Sequence, residues 1–267
     1  MTKTILITGS TDGIGKLAAI QLAKEGHAVY LHGRNSGKLK QVVEEVKKQS
    51  GNEKVEGFVA DFSDRAAVLQ LAEKVCEQLS ALDVLINNAG VFNSPLNRTA
   101  DGVDIRFAVN YFAPYLLTAA LIPLLRKASN SRIINLSSAA QAPVAHPILT
   151  GSATVSAQEA YAQSKLALTM WSFYLAKSQA DITVVAVNPG SLLNINMVRE
   201  AFGRYWSSAD KGANILTELA TSEVYQNADG KYFDNDQGAF GKAHPDAYNA
   251  SKIDSLITAT ETIISAK

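Results

Sequence analysis

The sequence of 267 residues has almost no cysteine and no excess charge of either sign. Its one cysteine, Cys76, excludes an internal disulfide framework and a cysteine-based metal cluster, so we expect a reducing compartment and no metal site. Because Cys76 lies in the helical pattern LAEKVCEQL, it is expected to be a small buried residue. Lys plus Arg and Asp plus Glu number 25 each, which argues against nucleic acid or an anionic membrane as a partner bound through bulk charge.

Long apolar runs are also missing. No run approaches the length of a membrane span, and the chain enters the strand pattern KTILIT without the serial regions of a signal peptide. We therefore expect a soluble, cytoplasmic protein with no membrane span.

What the sequence does contain is a regular alternation of short β-branched runs and longer amphipathic stretches. Strands are predicted at 3–8, 28–33, 55–60, 83–87, 132–137, 182–187 and 231–233. Helices are predicted near 13–25, 36–49, 64–79, 102–127, 157–179 and from about 245. This order predicts one α/β domain over residues 1–267, a doubly wound parallel sheet of about seven strands with helices on both faces.

Two irregular segments, 139–160 and 191–210, interrupt this alternation, and each follows a strand. Ligands of open α/β sheets bind outside the carboxyl ends of the strands. Both segments are therefore predicted walls of a substrate pocket.

The first strand runs into the glycine-rich stretch TGSTDGIG. Gly9 permits a tight turn, Gly13 lets the backbone approach a pyrophosphate, and Gly15 lets the next helix pack closely on the sheet. Free amides at that helix start favour an anion. The predicted cofactor contacts of this loop are Gly9, Ser10, Thr11, Asp12, Gly13, Ile14 and Gly15.

The end of the second strand is where the adenosine ribose of a dinucleotide is normally recognised. No acidic residue stands there; Gly33 is followed by Arg34 and Asn35, which we include among the cofactor-binding residues. A guanidinium suits a 2′-phosphate, so NADP is predicted over NAD. The alternatives are a solvated arginine and NAD itself, since Asp12 adds a nearby negative charge.

Taken together, TGSTDGIG, NNAG (87–90), Asn110, RIINLSS (132–138), YAQSK (161–165) and NPG (188–190) resemble the short-chain dehydrogenase/reductase family. The resemblance runs from residue 8 to 190, with the motifs in the order of the family. It implies a Rossmann-like fold and hydride exchange between a nicotinamide cofactor and an alcohol or carbonyl.

The resemblance also implies catalytic roles. Tyr161 would be the general acid/base, and Lys165, one helical turn away, would stabilise its phenolate and bind the nicotinamide ribose. Ser138, rather than its neighbour Ser137, would orient the substrate oxygen. Asn110 would hold a water that leads protons toward the lysine, although a polar residue that kinks or caps the helix is the alternative.

Further cofactor contacts follow from the same resemblance. It places Asn87 by the adenosine ribose and Asp61 at the adenine amino group, although Asp61 could instead cap the next helix. In place of the family's threonine after NPG, which touches the nicotinamide carboxamide, this chain has Asn194 and Ile195. Either Asn194 substitutes as a polar partner or backbone groups do so. The remaining predicted contacts are Phe62, Asn88, Ala89, Gly90, Pro189 and Gly190.

The interval between Ser138 and Tyr161 is longer than the family usually has, and the chain looks most similar to the retinol dehydrogenase and WW-domain oxidoreductase branch. Members of that branch often take long apolar substrates. The segment after NPG offers apolar side chains for such a pocket, namely Met197, Val198, Phe202, Tyr205 and Trp206. The alternative is that these pack only against the core.

The sequence thus predicts an NADP-dependent oxidoreductase of an apolar alcohol or carbonyl, a small-molecule substrate. Reduction of an activated carbon–carbon double bond and NADP sensing without turnover are the alternatives. Related enzymes pair their fourth and fifth helices, and the apolar stretch 166–176 would allow a homodimer or homotetramer, although burial in the monomer explains it as well.

Overall fold

The strands form a single eight-stranded sheet in the order β3-β2-β1-β4-β5-β6-β7-β8. The computed structural model describes residues 2–266, apart from the side chain of Phe202. Strands β1 to β7 are parallel, and β8 pairs antiparallel with β7. Their bounds are Thr4–Ile7 (β1), Ala28–Gly33 (β2), Val55–Val59 (β3), Val84–Asn87 (β4), Arg132–Leu136 (β5), Thr183–Asn188 (β6), Lys231–Asp234 (β7) and Ala239–Gly241 (β8).

Helices cover both faces of this sheet, and each face has its own apolar core. Helices α1, α2 and α9 pack on one face; α3, α5, α7 and α10 pack on the other. The helix bounds are Gly13–Lys24 (α1), Ser36–Ser50 (α2), Arg65–Gln78 (α3), Ile105–Phe107 (α4), Ala113–Leu125 (α5), His146–Leu149 (α6), Ala157–Ser178 (α7), Asn196–Phe202 (α8), Ala209–Thr221 (α9) and Ala250–Ser265 (α10). The predicted α/β architecture is therefore confirmed.

Two local features differ from the sequence prediction. The strand β8 was not predicted, because three residues are too short for a visible alternation. The long helix predicted over 102–127 instead consists of α4, a π-helical turn at Ala108–Phe112 and α5. Spacing of apolar residues does not reveal a π turn, because its i→i+5 bonds depend on side-chain contacts from other parts of the fold.

The segment Ile105–Leu125 is the one stretch among the described residues that is long and apolar enough to cross a membrane, and most of its apolar part is buried within the fold. It contacts α10, because the Tyr111 hydroxyl is 2.7 Å from Thr260 Oγ1. Burial in the monomer is the simplest reason for its composition.

The apolar stretch 166–176 of α7 is likewise buried in this core, apart from Tyr174, which is partly exposed. Its composition is thus explained without a second subunit, and the homodimer or homotetramer stays a prediction. Cys76, expected to be buried, is exposed on α3. The helical pattern placed it one position after the buried Val75, on the solvent side.

The sheet order reverses between β1 and β4, which follow each other in space but not in sequence. At such a switch point the connections leave in opposite directions and open a crevice at the carboxyl ends of the strands. Both the glycine-rich turn after β1 and the NNAG segment after β4 lie at this crevice.

Candidate active site

The glycine-rich turn after β1 is packed tightly against the NNAG segment. Gly9 has φ +62°, and a Cβ there would lie 2.6 Å from Ala89 Cα. Asn88 Nδ2 donates to the carbonyls of Thr8 and Gly9 at 2.7 and 2.8 Å. A Cβ on Gly15 would lie 2.4 Å from that same amide nitrogen, so Gly15 allows the helix to start close to the turn.

Asp12 caps α1 by accepting from Gly13 N at 2.7 Å. The next first-turn amides, of Ile14 and Gly15, have no acceptor within the helix, as is general for the first turn. With the dipole of a twelve-residue helix behind them, these amides form a cradle that suits the pyrophosphate of a dinucleotide.

His32, in β2, contacts this turn through a hydrogen bond and was not recognised from the sequence. Its Nδ1 accepts from Gly9 N at 3.1 Å, its Nε2 lies 3.0 Å from Ala60 O, and its ring stacks on Phe62 at 4.1 Å. Since Gly9 N–H can only donate and a carbonyl can only accept, the ring is neutral with the hydrogen on Nε2. Burial lowers the pKa of His32 to about 4, which agrees with that form.

At the end of β2, Arg34 is exposed where the sequence analysis placed it. The structure adds a second cation near the predicted adenosine contacts: Lys38 Nζ lies 3.2 Å from Asp12 Oδ2. Asn35 caps α2 by accepting from Lys38 N at 2.8 Å. The sequence did not indicate Lys38, because it lies in the first turn of α2, beyond the end of β2.

Two of the predicted adenosine contacts are used by the fold itself. Asn87 is buried, and its Nδ2 donates to Thr118 Oγ1 and Asn135 Oδ1 at 3.0 and 2.8 Å. The expectation that this side chain lies by the ribose is therefore wrong, because β4 turns it into the core.

Asp61 remains exposed at the end of β3, where its Oδ1 accepts from the amide and hydroxyl of Ser63 at 2.9 and 2.8 Å. The cap of α3 is Asp64, so Asp61 does not have the capping role offered as its alternative. Phe62 is buried, and its ring stacks on that of His32.

The four predicted catalytic side chains converge at the carboxyl ends of β4 and β5. The Ser138 hydroxyl bonds the Tyr161 phenol, and Tyr161 is partly open to the cleft with its ring 4.9 Å from that of Phe92. Lys165 Nζ lies 5.6 Å from the Tyr161 ring centre. Ser137 points the other way and is buried against Thr169 Oγ1 at 2.6 Å, which leaves Ser138 as the serine of the cleft.

Lys165 is only 4% exposed and donates to Leu136 O at 2.7 Å. Burial lowers its pKa to about 8. Burial raises the pKa of Tyr161, and the bond from Ser138 opposes this only in part. The expectation that the ammonium makes this phenol acidic is thus not met in the protein alone, because the ammonium bonds a carbonyl instead of the phenol oxygen.

Asn110 lies in the π-helical turn and is fully buried. Its Oδ1 accepts from Val91 N at 2.8 Å, while its Nδ2 donates to Val91 O at 3.1 Å and to Ser164 Oγ at 3.0 Å. The side chain therefore holds the loop after NNAG. A Cβ on Gly90 would lie 3.5 Å from both Asn110 Oδ1 and Lys165 Nζ, an ordinary contact distance that shows how close these two side chains lie to the loop.

The segment after NPG forms a cover over the glycine-rich turn. Asn196 Nδ2 donates to Asp12 Oδ2 at 2.7 Å, and Asn194 Oδ1 accepts from Arg199. Tyr205 and Trp206, predicted pocket residues, are 52% and 65% exposed, and Met197 and Val198 are partly exposed, so packing in the core does not account for them. The side chain of Phe202 lies outside the described part of the chain.

Comparison with known proteins agrees with this geometry. The family model for "short chain dehydrogenase" matches residues 3–204. The chain belongs to the short-chain dehydrogenase family. It is therefore an oxidoreductase, and a nicotinamide dinucleotide is the cofactor that the fold and the glycine-rich cradle fit.

Among similar proteins, human polyprenol dehydrogenase is 32% identical over 256 residues, covering 88% of this chain and 77% of its own. Mouse retinol dehydrogenase 12 is 32% identical over 248 residues, covering 86% and 77%. A putative short chain dehydrogenase from Escherichia coli CFT073, solved with NADPH, is 26% identical with a TM-score of 0.72, covering 87% and 96%. The polyprenol and retinol dehydrogenases confirm the resemblance to the retinol dehydrogenase branch.

Proposed function

We propose that this short-chain dehydrogenase transfers a hydride between NADP and an apolar alcohol or carbonyl, with Tyr161 as general acid/base. The observation that carries the proposal is the convergence of Tyr161, Ser138 and Lys165 at one edge of the sheet, beside a glycine-rich cradle. Two similar proteins, named as a polyprenol and a retinol dehydrogenase, support an apolar substrate.

In this mechanism the bound cofactor supplies or accepts the hydride. Ser138 Oγ orients the substrate oxygen, and Tyr161 Oη gives it a proton during reduction or takes one during oxidation. The raised pKa keeps the phenol protonated at neutral pH, which suits proton donation to a carbonyl. Lys165 brings a positive charge that stabilises the phenolate left behind.

NADP preference is supported by the two cations at the adenosine end, Arg34 and Lys38, and by the absence of a carboxylate at the tip of β2. We expect Arg34→Ala and Lys38→Ala each to weaken NADPH binding more than NADH binding. Dissociation constants for both cofactors, with Lys40→Ala on the exposed side of α2 as the control, test this. An unchanged NADPH/NADH ratio in both variants would refute the preference.

Activity is tested by following NADPH oxidation with a panel of carbonyls, including retinal, a polyprenal and small polar aldehydes. We expect turnover of apolar members, lost in Tyr161→Phe and kept in Tyr174→Phe, a partly exposed tyrosine of the same helix. NADPH binding without turnover of any substrate, equal in wild type and Tyr161→Phe, would indicate a sensor. Turnover confined to activated double bonds would indicate the reductase alternative. The cytoplasmic location stays a prediction.

A further inference from the structure

The turn that follows β6 is clamped by the end of β7. Residues 188–191 form this turn, and residues 234–236, which follow Phe233, surround it. Asn235 Nδ2 donates to Pro189 O at 2.9 Å and to Lys211 O at 3.0 Å. Asn235 N donates to Asn188 O at 3.1 Å, which continues the ladder between the two strands.

Asn188, 2% exposed, carries the centre of this clamp. Its Nδ2 donates to Asp234 Oδ1 and Asp236 Oδ2, both at 2.9 Å, and its Oδ1 accepts from Gly190 N at 3.2 Å. The amide nitrogen and the oxygen of the Asn188 side chain therefore join the turn to the end of β7. Gly190 has φ +122°, a conformation that favours glycine, so the turn is held in a shape that few other sequences adopt.

Asp236 reaches the last residue of the turn. Its Oδ1 accepts from Ser191 N at 2.8 Å and its Oδ2 from Ser191 Oγ at 2.5 Å, while Lys211 Nζ lies 4.0 Å away. Partial burial alone would raise the pKa of Asp236, but these donors and the lysine bring it below its usual value. The carboxylate is thus ionised in the working range of pH and bound by three protein donors.

This clamp matters because the chain lacks a threonine after NPG that could fix the nicotinamide carboxamide. Asn194 is occupied by Arg199, with its Oδ1 2.8 Å from Nε, and Ile195 has no polar group to offer. The oxygen of Asn194 is therefore engaged and Ile195 is apolar, which favours backbone groups of the turn as partners of the carboxamide.

We propose that Asp236 is a positioning residue that holds the turn 188–191 in the shape that receives the nicotinamide end of the cofactor. It acts through Asn188 and Ser191 and does not touch the cofactor itself. The proposal rests on the proposed function, because it assumes that a nicotinamide dinucleotide binds along this edge of the sheet.

The test compares two ligands that share the adenosine end. NADPH reaches the turn, whereas adenosine 2′,5′-bisphosphate has no nicotinamide. For Asp236→Asn we expect the dissociation constant of NADPH to rise about tenfold and that of the bisphosphate to change by less than about twofold. The reason is that the variant loses a charge-assisted contact that holds the turn 188–191, which only the nicotinamide end of NADPH reaches. Asp254→Asn, at an exposed position of α10, is the control and should change neither constant.

Ser191→Ala provides a second variant of the same contact, should Asp236→Asn fold poorly. We expect it to weaken NADPH selectively, and Asp236→Asn to have less effect in that background than in wild type. Equal weakening of both ligands, or no weakening of NADPH in a folded variant, would overturn the proposal. Wild-type protein that binds neither ligand would count against the proposed function instead; if it binds NADH, the same comparison is made with NADH and ADP-ribose.

Discussion

The buried histidine under the glycine-rich turn should make the stability of this protein depend on pH. His32 is 3% exposed, and its neutral form fits Gly9 N–H and Ala60 O at once. A proton on Nδ1 would place the imidazole N–H against the N–H of Gly9, and that hydrogen bond would be lost. We expect His32→Asn, which keeps an acceptor near the Gly9 amide but cannot titrate, to reduce the loss of stability in mild acid.

The magnitude follows from the pKa of His32, which burial lowers from 6.5 to about 4. A base whose pKa is lowered in the folded state binds fewer protons there than in the unfolded chain. Its stabilising effect is therefore present above about pH 6.5 and is lost as the pH falls toward 4. Between pH 7 and pH 5 the linkage relation gives a loss of about 2 kcal/mol in the free energy of unfolding.

The assay is urea unfolding of wild type and His32→Asn at these two values of pH. We expect the wild type to lose about 2 kcal/mol more than the variant on acidification. Burial also lowers the pKa of His27. Because His27 is present in both proteins, its contribution cancels in the difference between their losses of stability. His146→Asn, at an exposed histidine that begins α6, is the matched control. Equal losses in wild type and His32→Asn would refute the reasoning.

Two further predictions concern the cradle and the lysine. Gly9→Ala should lower the free energy of unfolding by about 1–3 kcal/mol and weaken cofactor binding, because the new Cβ is strained and clashes with the backbone of Ala89. Gly26 also has a positive φ but no atom within 4 Å of a Cβ, so Gly26→Ala should cost less and leave cofactor binding intact. Similar losses of stability in both variants would contradict the packing argument. Burial lowers the pKa of Lys165 to about 8, so kcat/KM for carbonyl reduction should fall as the pH rises through that value. In Lys165→Arg this fall in the pH profile should disappear. A flat wild-type profile would contradict the role of the lysine charge.

The active-site geometry shows which residues could be recognised locally. Tyr161 and Lys165 lie four positions apart on one helix, so the helical period alone places them on one face. Their motif also identified the family. What the sequence could not show is that the lysine ammonium bonds Leu136 O, a group 29 positions away in the chain. The pKa of each residue depends on burial among such distant groups, so it could not be derived from spacing.

The same contrast holds for the supporting residues. Lys38, His32 and Asp236 were all missed, because each acts on a segment that only the tertiary fold brings near it. Asn87 was assigned to the wrong surroundings for a related reason. A motif gives its position at the end of β4, but the direction of its side chain depends on what Thr118 and Asn135 offer in the core.

By itself, the sequence determined the order of strands and helices along the chain, the glycine-rich turn and the family. These follow from local periodicity and from backbone constraints within a few residues. Tertiary structure alone decided which carbonyl the lysine ammonium bonds, which way the Asn87 side chain points, and how the NPG turn is held. Those properties arise from contacts between segments far apart in the chain, where burial and hydrogen bonding set both orientation and charge.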